Sequence, residues 1–262
     1  MKKLWTLCTC CLSVGMMWAQ TGNWTDEGNY DTSWWDGNNR SEYHITTAEQ
    51  LAGLSYLSQQ GTTFLQSRIV LDNDLDMGAH YWTPIKKFGG FFDGNGHTLS
   101  GVQVQAGVGN SGFIATLQGY YGNPEYGVVY DLILDETCKI TSSNQLPDAT
   151  VGGIVGENSS RIVDSNNSGD VNSRVSSAGG IAGRNRVNTG YISRANNTGN
   201  IAGSAYVAGI VGTNNGGTVE DVSNKGNITG LQQVVGGIVG QMEPYIAVSY
   251  THLRAHETPE HL

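Results

Sequence analysis

Four short runs in the second half of the chain, GGIVG, GGIAG, AGIVG and GGIVG, set Ile154, Ile181, Ile210 and Ile238 at spacings of 27, 29 and 28 residues. A second run follows three of them: NSGDV, NTGNI and NKGNI, beginning at Asn167, Asn197 and Asn224. A third run, RIVDSN, YISRAN or TVEDVSN, lies between the two. A fixed period of this length implies a solenoid. Each unit buries its apolar face on the next, and the fold grows by stacking.

Each run is only about five residues long and is interrupted by Gly or Asn, both poor helix formers. The apolar residues are branched and partly alternate, which favours strands. The expected fold is all-β: a right-handed parallel β-helix with three short strands per coil. In it the isoleucines should form one inward column. The asparagines should form a second column at a corner, where stacked amides can make ladders. Glycine is expected to supply positive φ at tight corners. The chain has 37 glycines in 262 residues, roughly double the usual share, yet they are periodic rather than low-complexity.

These runs resemble the bacterial GLUG-motif repeat, named for a Gly-Leu/Ile-x-Gly signature. Ala208 replaces the first Gly in one copy. The resemblance is strong over 151–240. Upstream, "YHITTAEQLAGLSYLSQQGTTFLQSRIVLDNDLDMGAHYWTPI" and "FFDGNGHTLSGVQV" resemble the region that precedes such repeats. The resemblance implies an exported β-helical protein. Similar repeats flank the protease part of IgA-specific metallopeptidases and occur in surface adhesins. The family supplies no agreed catalytic residues, so it implies none here.

Upstream of the repeats, Thr46 and Glu49 form a candidate capping box. Leu51, Leu54 and Leu57 mark one face of a helix over about 47–59, which Gly61 fits to end. That helix is expected to cap the first coil over Ile69 and Leu71, covering an edge of unpaired backbone groups. DGNG at 93–96 reads as a hairpin-like turn. SGFIATL (111–117) and VVYDLILD (128–135) read as degenerate early coils, and QGYYGNPEYG between them as a protruding loop.

The chain begins Met1-Lys2-Lys3, and an uncharged run from Leu4 to Ala19 comes next. That pattern reads as a secretory signal peptide cut after Ala19. The C-terminal residues Val248–Leu262 resemble translated sequencing-adapter DNA and read as an artefact tail, despite His252 and His256. The expected organisation is therefore a signal peptide (1–19), an aromatic-rich segment (20–45), a cap helix with early coils (46–150), the repeats (151–247, truncated) and the tail (248–262). Residues 20–247 carry 11 Lys and Arg against 21 Asp and Glu, with no basic block. Such an acidic chain is a poor fit to nucleic acid or anionic membranes. Cys138 alone remains after the signal peptide and reads as a small buried hydrophobe.

Asp72, Asp74 and Asp76 fall at every second residue, which suits calcium. The Gly comes one place late for an EF-hand loop, however, and the closing Glu is absent. A solvent-facing strand is the competing reading. Asp93 and His97 could pair catalytically, but a turn and its flanking residue also explain them. Trp24, Trp34 and Trp35 could form a sugar-stacking surface, or could wedge onto the cap. There is no HExxH, P-loop, zinc-spaced Cys/His set or serine elbow. No catalytic residue and no cofactor are expected. The expected role is a secreted or cell-surface non-catalytic scaffold or adhesin-like binding module, whose candidate partners are a surface glycan or a host protein. The alternative is an ancillary region of a surface peptidase or glycan-active enzyme.

Overall fold

The computed structural model describes residues 21–39, 41–105, 109–119, 126–142, 148–174, 177–186, 189–231 and 234–242. The expected signal peptide, the expected tail with His252 and His256, and most of the expected loop at 118–127 lie outside them. The described chain is a parallel β-solenoid of about six turns with one short helix near its N-terminus. Its strands form five parallel sheets of seven, six, five, four and five strands, each running along the stack.

A complete coil has five short strands rather than three. One coil runs Arg161–Val163, Asn166–Asn167, Asp170–Ser173, Ser177–Gly179 and Ala182–Asn185, and the next starts at Tyr191–Ser193. The extra breaks come from corners inside the runs. Asp164 splits RIVDSN, and Gly180-Ile181 splits SAGGIAG. DGNG does turn the chain, with Asn95 and Gly96 at positive φ. It joins strands of two different sheets, however, and each strand pairs in parallel with its neighbours along the stack. It is a solenoid corner, not a hairpin.

The isoleucine column forms in register. Ile154 N donates to Ile181 O (3.1 Å), Ile181 N to Ile210 O (3.0 Å) and Ile210 N to Ile238 O (3.2 Å). The first three side chains are fully buried, and Ile238 is partly buried against the same core. The asparagine column forms too. Asn167 Nδ2 donates to Asn197 Oδ1 (2.9 Å) and Asn197 Nδ2 to Asn224 Oδ1 (2.8 Å). The same amides also donate to the carbonyls of Gly169, Gly199 and Gly226.

The repeating glycines serve a different purpose from the one expected. Gly153, Gly180 and Gly209 are not at positive φ. A Cβ on Gly153 would lie 2.7 Å from Asn167 Cγ; on Gly180, 2.3 Å from Asn197 Cγ; on Gly209, 2.2 Å from Asn224 Cγ. The two motifs recur together because the bare Gly backbone makes room for the Asn ladder. Positive φ is supplied by other glycines, among them Gly101 at 65° and Gly216 at 83°, and at one recurring corner by Asp131, Asp164, Arg194 and Asp221, at 50–52°. These four are equivalent corner positions in successive coils, each following the paired residue of its strand. Asp tolerates the left-handed region because its short side chain can bond locally.

Helix Ala48–Gln59 covers the N-terminal end of the core, with Leu51 and Leu54 fully buried and Leu57 partly so. Ile69 and Leu71 belong to the same cluster. The N-cap is Thr47, one residue later than expected: its hydroxyl accepts from Gln50 N. Thr46 N donates to Gln50 Oε1 at 2.8 Å, so the return contact comes from Gln50 rather than Glu49 and meets the residue before the cap. Gly61, at φ 102°, follows the C-cap Gln60.

Candidate functional site

The seven-stranded sheet runs from Glu42–Ile45 to Thr218–Glu220. In each strand the middle residue points into the core. Ile69, Phe92, Val129, Ile162 and Ile192 are in register and fully buried. By the two-residue period of a strand, the flanking residues face outward. They form two columns, Arg68–Phe91–Val128–Arg161–Tyr191 and Val70–Asp93–Tyr130–Val163–Ser193.

This outer face carries an open groove of about 620 Å³, lined by Arg68, Arg161 and Arg194 with Phe91, Tyr126 and Tyr130. The guanidinium of Arg68 lies 4.8 Å from the Phe91 ring centre and that of Arg161 4.9 Å from the Tyr191 ring centre. Such contacts orient the planar fork over a ring face. Arg68 is anchored by Asp93 and by Glu42, the latter at 3.2 Å. Arg194 grips Asp164 through two bonds of 2.6 and 2.8 Å. That grip holds the Asp164 carboxyl below its usual range. It also ties down Arg194 at a positive φ that a long side chain seldom adopts. Among the described residues Arg161 has no carboxylate within ion-pair distance.

Asp131 sits between these pairs. Burial raises its pKa, and the charges of Asp93 and Asp164 push it the same way. At the groove's other end Ser67 is buried, and its Oγ has no hydrogen-bond partner among the described residues. The groove is thus lined by cations and ring faces; of the carboxylates that hold the arginines, Asp93 is buried, while Asp164 is partly exposed and Glu42 exposed. Among the described residues no adjacent nucleophile and base line it.

Each of the three aspartates considered for calcium has a hydrogen-bond partner of its own. Asp72 bonds His44 Nδ1 (2.8 Å), Asp74 bonds His97 Nδ1 (3.1 Å) and Thr98 N (2.9 Å), and Asp76 accepts from Gly78 N (2.8 Å). The bond to Asp72 raises the pKa of His44. Among the described residues no three His, Cys, Asp or Glu side chains are grouped to hold a metal ion. Asp93 and His97 have different partners, Arg68 and Asp74. Trp24 is buried and donates its indole N–H to Met77 O (2.9 Å). Trp34 and Trp35 are half-buried on the core beside Tyr43 and Phe64. Cys138 is buried, and that burial pushes its thiol up to about 12, far from a neutral-pH nucleophile.

The arginine groove was not anticipated, although the triplets RIV, FFD, VVY, RIV and YIS carry it. Aligned on their buried centres, they give both outer columns. A second asparagine ladder was also missed. Asn158 Nδ2 donates to Asn185 Oδ1 (2.8 Å) and Asn185 Nδ2 to Asn214 Oδ1 (3.1 Å), and all three are fully buried. Its signal is the Gly-x-Asn that closes each of the first three Gly-rich runs: GEN, GRN and GTN.

No helix among the described residues is long and apolar enough to cross a membrane. No protein-family model matches the chain, and no curated protein matches it. A solved structure does: that of a putative immunoglobulin A1 protease from Bacteroides ovatus, with a TM-score of 0.62 and 22% identity. The match covers 80% of this chain and 64% of that one, so the chain spans under two thirds of that protein's length. At this identity the likeness is one of fold: the chain shares a β-helical architecture with that protein.

Proposed function

We propose that the chain is a secreted or cell-surface, non-catalytic β-helix module, a scaffold or adhesin-like binder of GLUG-repeat type, whose ligand lies along the groove of the seven-stranded sheet. One observation carries this reading: an open outer groove that gathers Arg68, Arg161 and Arg194 with Phe91, Tyr126 and Tyr130 from successive coils, with no nucleophile–base pair among the described residues. Such a surface can bind and orient but has no group placed to break a bond. The experiment is binding of residues 20–247 to panels of surface oligosaccharides and host-surface proteins, alongside Phe91→Ala/Tyr130→Ala. Binding that falls at least tenfold in the double variant, with an unchanged melting temperature, supports the groove. Equal binding by both proteins moves the ligand elsewhere.

The structural neighbour favours a second reading, in which the module is an ancillary region of a surface peptidase or glycan-active enzyme. The full-length gene tests it. A downstream HExxH or glycan-enzyme domain supports the ancillary role, and further repeats with an anchor support the adhesin. Export itself is tested by mass spectrometry of the secreted protein, which should begin at Gln20.

A further inference from the structure

The groove's lining narrows the ligand class, on the reading that this groove is the binding face. We propose that it binds an anionic oligosaccharide, with a carboxylate or sulfate of the sugar on the Arg161 guanidinium and sugar rings on Phe91 and Tyr130.

Charge is the first argument. The chain carries a net charge of −9, so its surface at large repels anions. The charged side chains lining this groove are nevertheless all arginines. Arg68 is spent on two carboxylates, Asp93 and Glu42, and Arg194 on Asp164, which fixes their planes. Among the described residues Arg161 has no carboxylate partner and is steadied by the Tyr191 ring, which leaves its charge for a ligand. Arginine is suited to planar, two-point recognition of carboxylate and sulfate.

Shape is the second argument. The groove crosses five strands, from Arg68 to the end of Tyr191–Ser193, or about 19 Å at ~4.8 Å per strand. That length suits several linked sugars rather than one. A ligand lying across the strands meets side chains only, because the backbone groups below are paired within the sheet. An extended peptide would therefore find no ladder to join. Sugars need none: their C–H faces rest on rings, and their hydroxyls take the remaining N–H groups. Three cations are also too few to hold a nucleic acid against the chain's own charge.

The test is calorimetric titration of residues 20–247 with three oligosaccharide sets of equal length: uronate-bearing, sulfated and neutral. Poly-glutamate serves as the acidic-peptide control. The expected result is binding of a uronate or a sulfated set, weakened by salt and reduced at least tenfold by Arg161→Gln. Arg161→Lys should recover part of the loss, and the melting temperature should hold in both variants. Which anionic set binds identifies the acid group. Neutral sugars binding as tightly, with Arg161→Gln silent and Phe91→Ala damaging, overturn the anionic assignment and leave the groove reading intact. Poly-glutamate binding as well as the sugars overturns the glycan assignment. Anionic binding indifferent to Arg161, Phe91 and Tyr130 together overturns the assignment and the groove reading alike. If no oligosaccharide binds, the assignment fails, and the protein panel with the Phe91/Tyr130 variant then decides the groove.

Discussion

Asn197 works in both directions along the stack. It accepts from Asn167, donates to Asn224 and closes the Gly199 corner. An amide can do this because it has two N–H donors beside an accepting oxygen, whereas a hydroxyl has a single donor. Asn197→Ala should cost about 1–3 kcal/mol, the usual penalty for leaving buried polar groups unpaired. Asn197→Asp should cost more at pH 7, because a carboxylate cannot donate, and should recover partly on acidification. Urea melts at pH 7 and pH 4 check both. Asp131 is an opposite case. Burial and its neighbours Asp93 and Asp164 raise its pKa, so the folded state disfavours its charge. Whatever stability the protonated form lends is present below the ordinary carboxylate value and is lost as the pH rises through the raised one. Asp131→Asn keeps a residue tolerant of positive φ and removes the charge. It should raise the melting temperature at pH 7 by about 1–2 °C, the effect being small because the group is largely solvated. The gain should vanish near pH 3.

At the scale of elements, the helix Ala48–Gln59 is held from both sides. Ser55 Oγ donates to Thr83 O (2.5 Å) and Gln59 Nε2 to Pro84 O (2.9 Å) on one side, and Asp31 N to Glu49 O (2.8 Å) on the other. Leu54 lies fully buried between these ties. Truncating such a leucine typically costs about 2–5 kcal/mol, and a charge there adds an uncovered strand edge. Leu54→Asp should give an aggregating protein, whereas Lys225→Asp, on an exposed corner, should be nearly silent. Light scattering with urea melts separates the two outcomes. The columns of Ile154 and Asn167 were legible in the sequence because every coil asks for the same chemistry at the same place. The groove was not, because Arg68, Phe91, Val128, Arg161 and Tyr191 share a column but no chemistry. The corner at Asp131, Asp164, Arg194 and Asp221 was hidden by Arg194, whose place depends on Asp164 in the coil before it. Thr46 and Thr47 were separable only by seeing which hydroxyl meets Gln50 N.

For the molecule as a whole, the periodic register determines which lesions it can absorb. The strand pairings equate Ala182 with Val211, so Ile181 could be followed by either. Excising 182–210 would bring Asn158 beneath Asn214 and Asn167 beneath Asn224, restoring both ladders. This 29-residue excision should leave a protein that still folds cooperatively, with a lowered melting temperature. Removing Ala182 alone reverses the pleat of the later residues in its strand and pulls each later column out of line. That much smaller lesion should be the ruinous one, seen as loss of soluble protein or of its melting transition.

Length in this fold is therefore quantised. Genes for such chains can be lengthened or shortened by recombination between repeated segments, and a crossover one coil out of step still joins equivalent positions. Each such event would also add or remove a rung of the groove, with a new choice of arginine, aromatic or aliphatic residue at its surface. The invariant Gly and Asn positions make that exchange structurally harmless, and the variable outer columns make it consequential. A solenoid of this kind can retailor the reach of its binding face in single genetic steps, leaving its core chemistry unchanged.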